Sequence, residues 1–407
     1  MEGQVSGTDS AALQPQLKGP AFRGGATVAP SSSRLSLVAA HDPDSGALVR
    51  RLLAAATQVL PQARVAEDFV FTLSGTRAPD GGWLLHPLGI SQRYGAITAL
   101  GLLRLAERDQ RATLAGAAGL DLVGHLAKNL DDETNRGNVA LLCWAAAEAG
   151  HSELPHALRR LAALDQGQEP IDVVAAAWIV TALVAARSRA DVEQHLAAAR
   201  GRLLAAQNAV YSHVIGATSG YRSHVGCFAD QVYPLQALAR LHHSADDPKA
   251  LAAADKIAAM ICRAQGPAGQ WWWHYDSRTG EVVEGYPVYS VHQYAMAPMA
   301  LFDLADAGGQ VHLEAICQGL RWLAGPVETS ETLILDDPPV TWRKVARSDP
   351  RKMVRGLRAA ATRMRPGTRL PLLDWMFPPG VVDHECRPYE FGWLLLAWLT
   401  SPGGRRP

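Results

Sequence analysis

The stretch from Gln265 to Met299, QGPAGQWWWHYDSRTGEVVEGYPVYSVHQYAMAPM, concentrates three tryptophans, four tyrosines, two histidines and several carboxylates in a turn and the segment after it. Large rings that carry polar tips suit the wall of a wet cavity better than a structural turn, because one end can pack while the other meets a ligand. Sugar rings present apolar C–H faces between polar rims, so flat aromatics flanked by carboxylate, Arg and His are what a glycan site needs. The binding candidates are Trp83, Arg93, Trp271, Trp273, His274, Tyr289 and Arg387.

Three chemistries remain open. Glycosidic hydrolysis needs a carboxylic acid of raised pKa and a second carboxylate, for which Glu284, Asp230 and Glu385 are candidates. Lyase or epimerase chemistry would use Tyr286 or His292 to take the proton beside a uronate carboxyl held by Arg93 or Arg387. Terpenoid cyclisation would use the same aromatic walls to stabilise a carbocation.

These residues must be positioned by helices. Arg-dotted amphipathic segments at about 46–60, 112–128, 153–164, 190–206, 247–264 and 310–324 alternate with apolar, small-residue segments at about 92–106, 136–149, 171–186, 228–242, 288–305 and 388–400. Six such pairs cannot bury their apolar faces alone, and the second set lacks the charges of an exposed concave face. The expectation is an all-α, six-hairpin (α/α)6 toroid with an outer and an inner ring. The turns before the inner helices then gather at one end, where six helix N-termini favour an anion such as a uronate or a diphosphate. Asp80, Trp83, Arg93, Tyr94, residues 131–133, Cys227, Asp230, residues 271–276, residues 284–292 and residues 383–389 are expected there. On a regular helix Tyr289, His292, Gln293 and Met296 would share one face.

Two resemblances follow from quoted segments. KIAAMICRAQGPAGQW resembles the repeat of the squalene-cyclase and prenyltransferase group, in which Gln265, Gly269 and Trp271 would tie an outer helix to the next turn; APDGGW, ending at Trp83, resembles a degenerate copy. GISQRYGAITALGLLRL, GQWWWHYD, YPVYSVHQYAMAPMAL and HECRPYEFGWLLLAW resemble bacterial toroid proteins encoded with exopolysaccharide-assembly genes. The resemblance implies a glycan-acting or glycan-binding toroid of exopolysaccharide biosynthesis, with a terpenoid cyclase or prenyltransferase-like enzyme and a non-catalytic scaffold as the alternatives. The Asp-rich motifs of terpene cyclases are not matched by NLDDET or ILDDPP, and Asp230, Cys227, His384 and Cys386 depart from the zinc spacing of prenyltransferases. No metal or other cofactor is expected.

The chain has 407 residues, with 39 Lys plus Arg against 39 Asp plus Glu, so no global field recruits nucleic acid. Five widely spaced cysteines suit a reducing cytoplasm. Residues 1–44 are expected as a disordered Gly/Ser/Pro/Gln-rich tail before a toroid domain over 45–402, with no apolar run of the roughly 18 residues that span a bilayer. One segment breaks the neutrality. Residues 343–370 hold ten basic residues and the single acid Asp349, and after Pro350 the apolar residues Met353, Val354, Leu357, Ala360 and Ala361 recur at helical spacing. A basic amphipathic helix here, followed by LLDWMF, would give peripheral contact with an anionic membrane surface and bring the protein to a glycan or an anionic lipid-linked substrate.

Overall fold

A computed structural model describes residues 33–166, 171–206 and 220–401. The chain enters through α1 (Ser33–His41) and α2 (Pro43–Val59), whose first turn is capped by the Asp42 carboxylate accepting from the Ser45 N–H at 3.2 Å. Strand β1 (Arg64–Val65) and the long hairpin β2 (Asp68–Arg77) and β3 (Trp83–Ile90) follow. Next come α3 (Gln92–Leu102), α4 (Glu107–Thr113), α5 (Gly119–Ala127), α6 (Arg136–Ala149), α7 (Leu154–Leu164), α8 (Val173–Ala186) and α9 (Glu193–Ala205). Strand β4 (Val225–Cys227) leads into α10 (Ala229–Ala245) and α11 (Pro248–Arg263). Short strands β5 (His274–Asp276), β6 (Val282–Glu284) and β7 (Val288–Tyr289) precede α12 (Ala297–Asp306) and α13 (Leu313–Ala324). Strand β8 (Lys344–Arg347), helices α14 (Met353–Met364) and α15 (Pro371–Met376), strands β9 (Pro379–Asp383) and β10 (Glu385–Cys386), and α16 (Pro388–Leu399) complete the fold.

The expected toroid is the observed architecture. Its inner ring runs α3, α6, α8, α10, α12, α16 and closes where α16 packs back on α3. That closing contact depends on Gly101 and Gly392: a Cβ on Gly392 would lie 2.6 Å from the Ile97 carbonyl oxygen, and one on Gly101 would lie 2.3 Å from the Gly392 carbonyl oxygen. The outer helices α2, α5, α7, α9, α11 and α13 are amphipathic and bury one stripe against this ring.

The sequence reading left β-structure out. Three small sheets form, ordered β1-β2-β10 with β3 on β2, then β4-β5-β6 and β7-β8-β9. Strands β3, β4, β7 and β10 run into, or end just short of, α3, α10, α12 and α16, so the sheets set the chain's approach to four inner helices. Local backbone chemistry breaks two predicted helices. The outer segment 112–128 splits at Ala115 and Gly116, both at positive φ. The inner segment 288–305 begins as strand β7, passes through a π-helical turn at His292–Met296, and becomes α12 only at Ala297. Pro298 lacks the N–H that would bond the Tyr294 carbonyl, and the Trp398 indole N–H supplies the donor instead at 2.7 Å.

One domain boundary needs correction. Residues 1–32 lie outside the described residues, but Ser33–His41 is helical. Buried Arg34 anchors it, pairing with Asp303 at 2.6 Å and Asp306 at 2.5 Å and donating to the Ala397 carbonyl at 2.8 Å. Within the segment 343–370 the helix expected after Pro350 is present as Met353–Met364, and the residues ahead of it pair as β8 between β7 and β9.

The middle of the ring is filled. Trp393 of α16 contacts Trp144 of α6 at 5.7 Å and Tyr233 of α10 at 5.9 Å between ring centroids, and its indole N–H donates to the Tyr233 hydroxyl at 2.9 Å. These helices are not ring neighbours, so the contacts cross the lumen. Beyond the aromatic plug lies an ionic floor, where Glu148 pairs with Arg104 at 2.7 Å and Arg240 at 3.6 Å, and Asp303 pairs with Arg240 at 2.6 Å. The expected open hollow is therefore closed at this level, and the residues left to form a site are those at the inner-helix starts on the Asp230 side of the plug. Along α10, Asp230 precedes Tyr233 by three residues, a rise of roughly 4.5 Å.

Candidate functional site

The mouth is built from helix starts. Ser91 caps α3 by accepting from the Tyr94 N–H at 3.3 Å, Asn135 caps α6 through the Asn138 N–H at 3.1 Å, and Asp172 caps α8 through the Ala175 N–H at 2.9 Å. At the start of α10 the Asp230 carboxylate accepts from the Cys227 N–H at 2.7 Å. Helix N-termini pointing one way leave partial positive charge and N–H groups where a ligand would enter.

Aromatic faces follow one another around this mouth. Phe71 of β2 stacks on Tyr94 at 5.3 Å, and Tyr94 meets Tyr389 at 4.5 Å. On the other side Trp273 stacks on His274 at 3.8 Å and meets Tyr289 at 6.2 Å; Tyr289 meets His292 at 5.0 Å, and His292 meets Phe228 at 4.4 Å. Guanidiniums cover several of these rings: Arg387 lies 4.2 Å from the Phe71 centroid, Arg343 5.2 Å from Tyr289 and Arg355 4.7 Å from Trp273. Arg93 lies 5.5 Å from Trp178 and donates from Nε to Asn138 Oδ1 at 2.6 Å. Beside it, between α3, α5 and α6, opens a cavity of ≈ 260 Å³ bordered by Gln92, Leu126, Asp132, Glu133 and Asn138.

The carboxylates have unequal environments. Burial pushes the Asp230 carboxyl above its ordinary pKa, and the Asp172 charge on the neighbouring helix pushes the same way; the Cys227 N–H opposes them without prevailing. Burial lifts Glu390, in the first turn of α16, to about 8 despite the Arg343 and Arg387 guanidiniums. Glu385 is engaged by Arg387 at 2.8 Å and Arg343 at 3.3 Å, and Arg387 also donates to the Tyr94 hydroxyl at 3.0 Å. Both histidines are held neutral. Burial lowers His274 well below its usual value, helped by Arg222 and Arg355, and burial brings His292 down to about 3.

Of the residues chosen from sequence, the structure brings Arg93, Asp230, Trp273, His274, Tyr289, His292, Glu385 and Arg387 to this mouth. Four others go elsewhere. Glu284 is 2% exposed and pairs with Arg347 at 3.3 Å and Arg358 at 3.2 Å, which makes it the anchor of α14. Tyr286 donates to Glu328 at 2.8 Å and packs edge-on against Trp272, outside the mouth. Trp271 is fully buried beneath α13, in space that Gly319 leaves open, so it is core and not cavity wall. Trp83 packs on Trp342 at 4.7 Å and His384 at 4.5 Å, roughly 25 Å along β3 from Ser91. Gln293 joins neighbouring backbone, accepting from the Trp271 N–H at 3.2 Å and donating to the Tyr289 carbonyl at 3.0 Å. The local tie expected from Gln265, Gly269 and Trp271 is present: Gln265 Nε2 donates to the Gly269 and Ala315 carbonyls, both at 2.9 Å. Cys227 and Cys386 lie in different sheets, and His384 pairs with Glu331 at 2.6 Å, so the zinc-type residues do not converge.

Phe71, Asp172, Arg343 and Glu390 were missed as site residues. Asp172 and Glu390 carried a signal, each being a lone carboxylate at the start of an apolar helix, VVAAAW and FGWLLLAW. Phe71 and Arg343 reach the mouth through strand pairing, which helical periodicity does not reveal.

Compared with known proteins, the chain matches no protein-family profile and no curated protein sequence. Among solved structures it is similar to an unsaturated glucuronyl hydrolase from Bacillus sp. GL1, with a TM-score of 0.55 at 11% identity over 88% of this chain and 99% of that one. It is also similar to an unsaturated glucuronyl hydrolase specific for heparin (0.52, 13%, 86% and 95%) and to a cellobiose 2-epimerase from Bacillus thermoamylovorans (0.53, 10%, 88% and 99%). At such identities the likeness establishes the shared α/α toroid.

Proposed function

We propose that this chain is a carbohydrate-acting enzyme that hydrolyses an anionic, uronate-bearing glycan at the mouth of the ring, with Asp230 as proton donor. The observation that carries this reading is the pair Asp230 and Asp172. They start adjacent inner helices, and burial drives Asp230 toward its protonated form against the Cys227 hydrogen bonds, with a smaller push from the Asp172 charge. A carboxyl that keeps its proton can pass it to a departing glycosidic oxygen, while a second carboxyl group can take a proton from the attacking water. Aromatic faces would receive the sugar's C–H side, and Arg343, Arg387 and the helix N-termini would meet the uronate carboxylate. The names of the similar structures, glucuronyl hydrolases and a sugar epimerase, support a carbohydrate substrate.

We place the reaction in exopolysaccharide biosynthesis, on the resemblance of the quoted segments, and in the cytoplasm, where the five free thiols are at home. Among the described residues no helix is long and apolar enough to cross a membrane. The terpenoid reading has less support. Its Asp-rich motifs are unmatched, and the aromatic plug occupies the lumen where a deep apolar chamber would lie.

The test is turnover of uronate-ended oligosaccharides, followed by release of new reducing ends. Asp230→Asn should lower kcat by roughly 10²- to 10⁴-fold, the usual contribution of a positioned acid, with the helical signal unchanged. Wild-type turnover in that variant, or no turnover and no tryptophan-fluorescence response to any uronate glycan, would overturn the assignment.

A further inference from the structure

The end of α14 and the whole of α15 take no part in the chemistry just proposed, yet they carry the two most exposed large apolar side chains among the described residues. Met364, at the end of α14, is 89% exposed; on α15 Trp375 is 79% exposed and Leu372 65%, with Met376 beside them. Helix α15 has no buried residue at all. Such a cluster on a folded surface calls for an occupant.

Charge says which. The turn between the two helices carries Arg365 and Arg369, and neither guanidinium has a hydrogen-bond or ion-pair partner among the described residues. The one carboxylate of α15, Asp374, is already neutralised by Arg358 at 2.6 Å and Arg347 at 3.0 Å. Glu281, which would lie 2.7 Å from a Cβ on Gly367, borders the turn as a single opposing charge. The buried ion pairs of Arg347 and Arg358 with Glu284 fasten the segment, so the apolar side chains are presented from a supported base.

We infer that the α14–α15 tip is a docking surface for an anionic lipid bilayer, with Trp375, Met364 and Leu372 entering the headgroup boundary and Arg365 and Arg369 meeting acidic headgroups. Exposed Trp, Met and Leu beside unpaired Arg is the composition that partitions to such an interface, where the ring is half solvated and the cations find phosphate. An acidic polypeptide would satisfy the guanidiniums but leave the apolar side chains in water. The helix that carries the tip starts at the mouth, where Arg355 in the first turn of α14 covers the Trp273 ring, and Met364 lies roughly 13 Å further along it. Docking would hold the mouth close to the surface, where a lipid-anchored glycan lies.

The test needs no substrate, so its failure leaves the Asp230 reading untouched. The full chain is co-sedimented with phosphatidylcholine vesicles and with mixed phosphatidylcholine–phosphatidylglycerol vesicles, at low and high salt. Binding to the mixed vesicles alone, weakened by salt, is expected. Arg365→Ala with Arg369→Ala should weaken partitioning about thirtyfold, as two basic residues at an anionic leaflet would. Trp375→Ser with Met364→Ser should weaken it at any salt, and both variants should keep the wild-type circular dichroism because the replaced side chains are in solvent. Equal binding to both vesicle types, binding to neither, or indifference to both variants overturns the inference. So does capture on immobilised polyglutamate without vesicle binding, which would assign the tip to an acidic polypeptide.

Discussion

A single carboxyl decides how the proposed reaction should respond to pH. Asp230 acts as a proton donor only while protonated, and its pKa lies above the ordinary value through burial and the Asp172 charge. Activity should therefore be present below that raised pKa and be lost as pH rises through it. Asp172→Asn removes the proposed base as well as the like charge, so kcat/KM should drop, and the alkaline limb of the remaining activity should move to lower pH as the Asp230 pKa falls. A limb that stays in place would show that Asp172 does not act on Asp230. At this scale the sequence revealed the types and missed the directions. In GQWWWHYD the three tryptophans diverge, with Trp271 under α13, Trp272 against Tyr286 and Trp273 on the mouth side. Consecutive residues near a strand point to different faces, so composition alone could not assign them.

Helix against helix, the ring is closed by what is absent from two side chains. Gly392→Ala should cost about 1–3 kcal/mol, because its methyl would meet the Ile97 carbonyl oxygen at 2.6 Å and force α16 away from α3. Gly201, in α9, has nothing within 4 Å of its added Cβ, so Gly201→Ala should gain up to about 1 kcal/mol by helix propensity. Urea titration of both variants checks the contrast, and a neutral Gly392→Ala would mean that the closing contact is loose. The alternation of helices that makes this ring was legible because each inner segment is apolar on most sides and each outer one is striped. Exceptions arose where one residue outweighed the pattern, as at Pro298, which gave a π-helical turn, and Gly116, which split an outer helix. The hairpin Asp68–Ile90 went unread because its strands lean on a mouth whose position no local pattern encodes.

Taken whole, the lumen holds two ionisable layers whose effects on stability oppose each other. In the floor, burial alone would raise Glu148, but Arg104 and Arg240 outweigh it and bring the carboxyl from 4.5 to about 2. Asp303 is depressed in the same way by Arg240 and Arg34, which join α1, α10 and α12. A depressed carboxylate contributes stability that is complete above its unfolded pKa and lost as pH falls through the folded one, so the floor should weaken between about 4.5 and 2. For Glu148 alone that is about 3 kcal/mol. At the mouth the sign reverses. The native state holds the Glu390 proton up to about 8 while the unfolded chain releases it near 4.5, so stability should fall as pH rises across that interval. Below about 6.5 the neutral His274 and His292 act the opposite way, because unfolding lets them take up protons, so thermal unfolding should be most resistant near 6.5 and decline toward 8 and toward 2. Glu390→Gln keeps the shape and removes the titration, so it should flatten the alkaline decline and leave the acid one in place. An unchanged alkaline slope in that variant would mean that Glu390 ionises in the folded protein as readily as in the unfolded chain, and that Arg343 and Arg387 offset its burial.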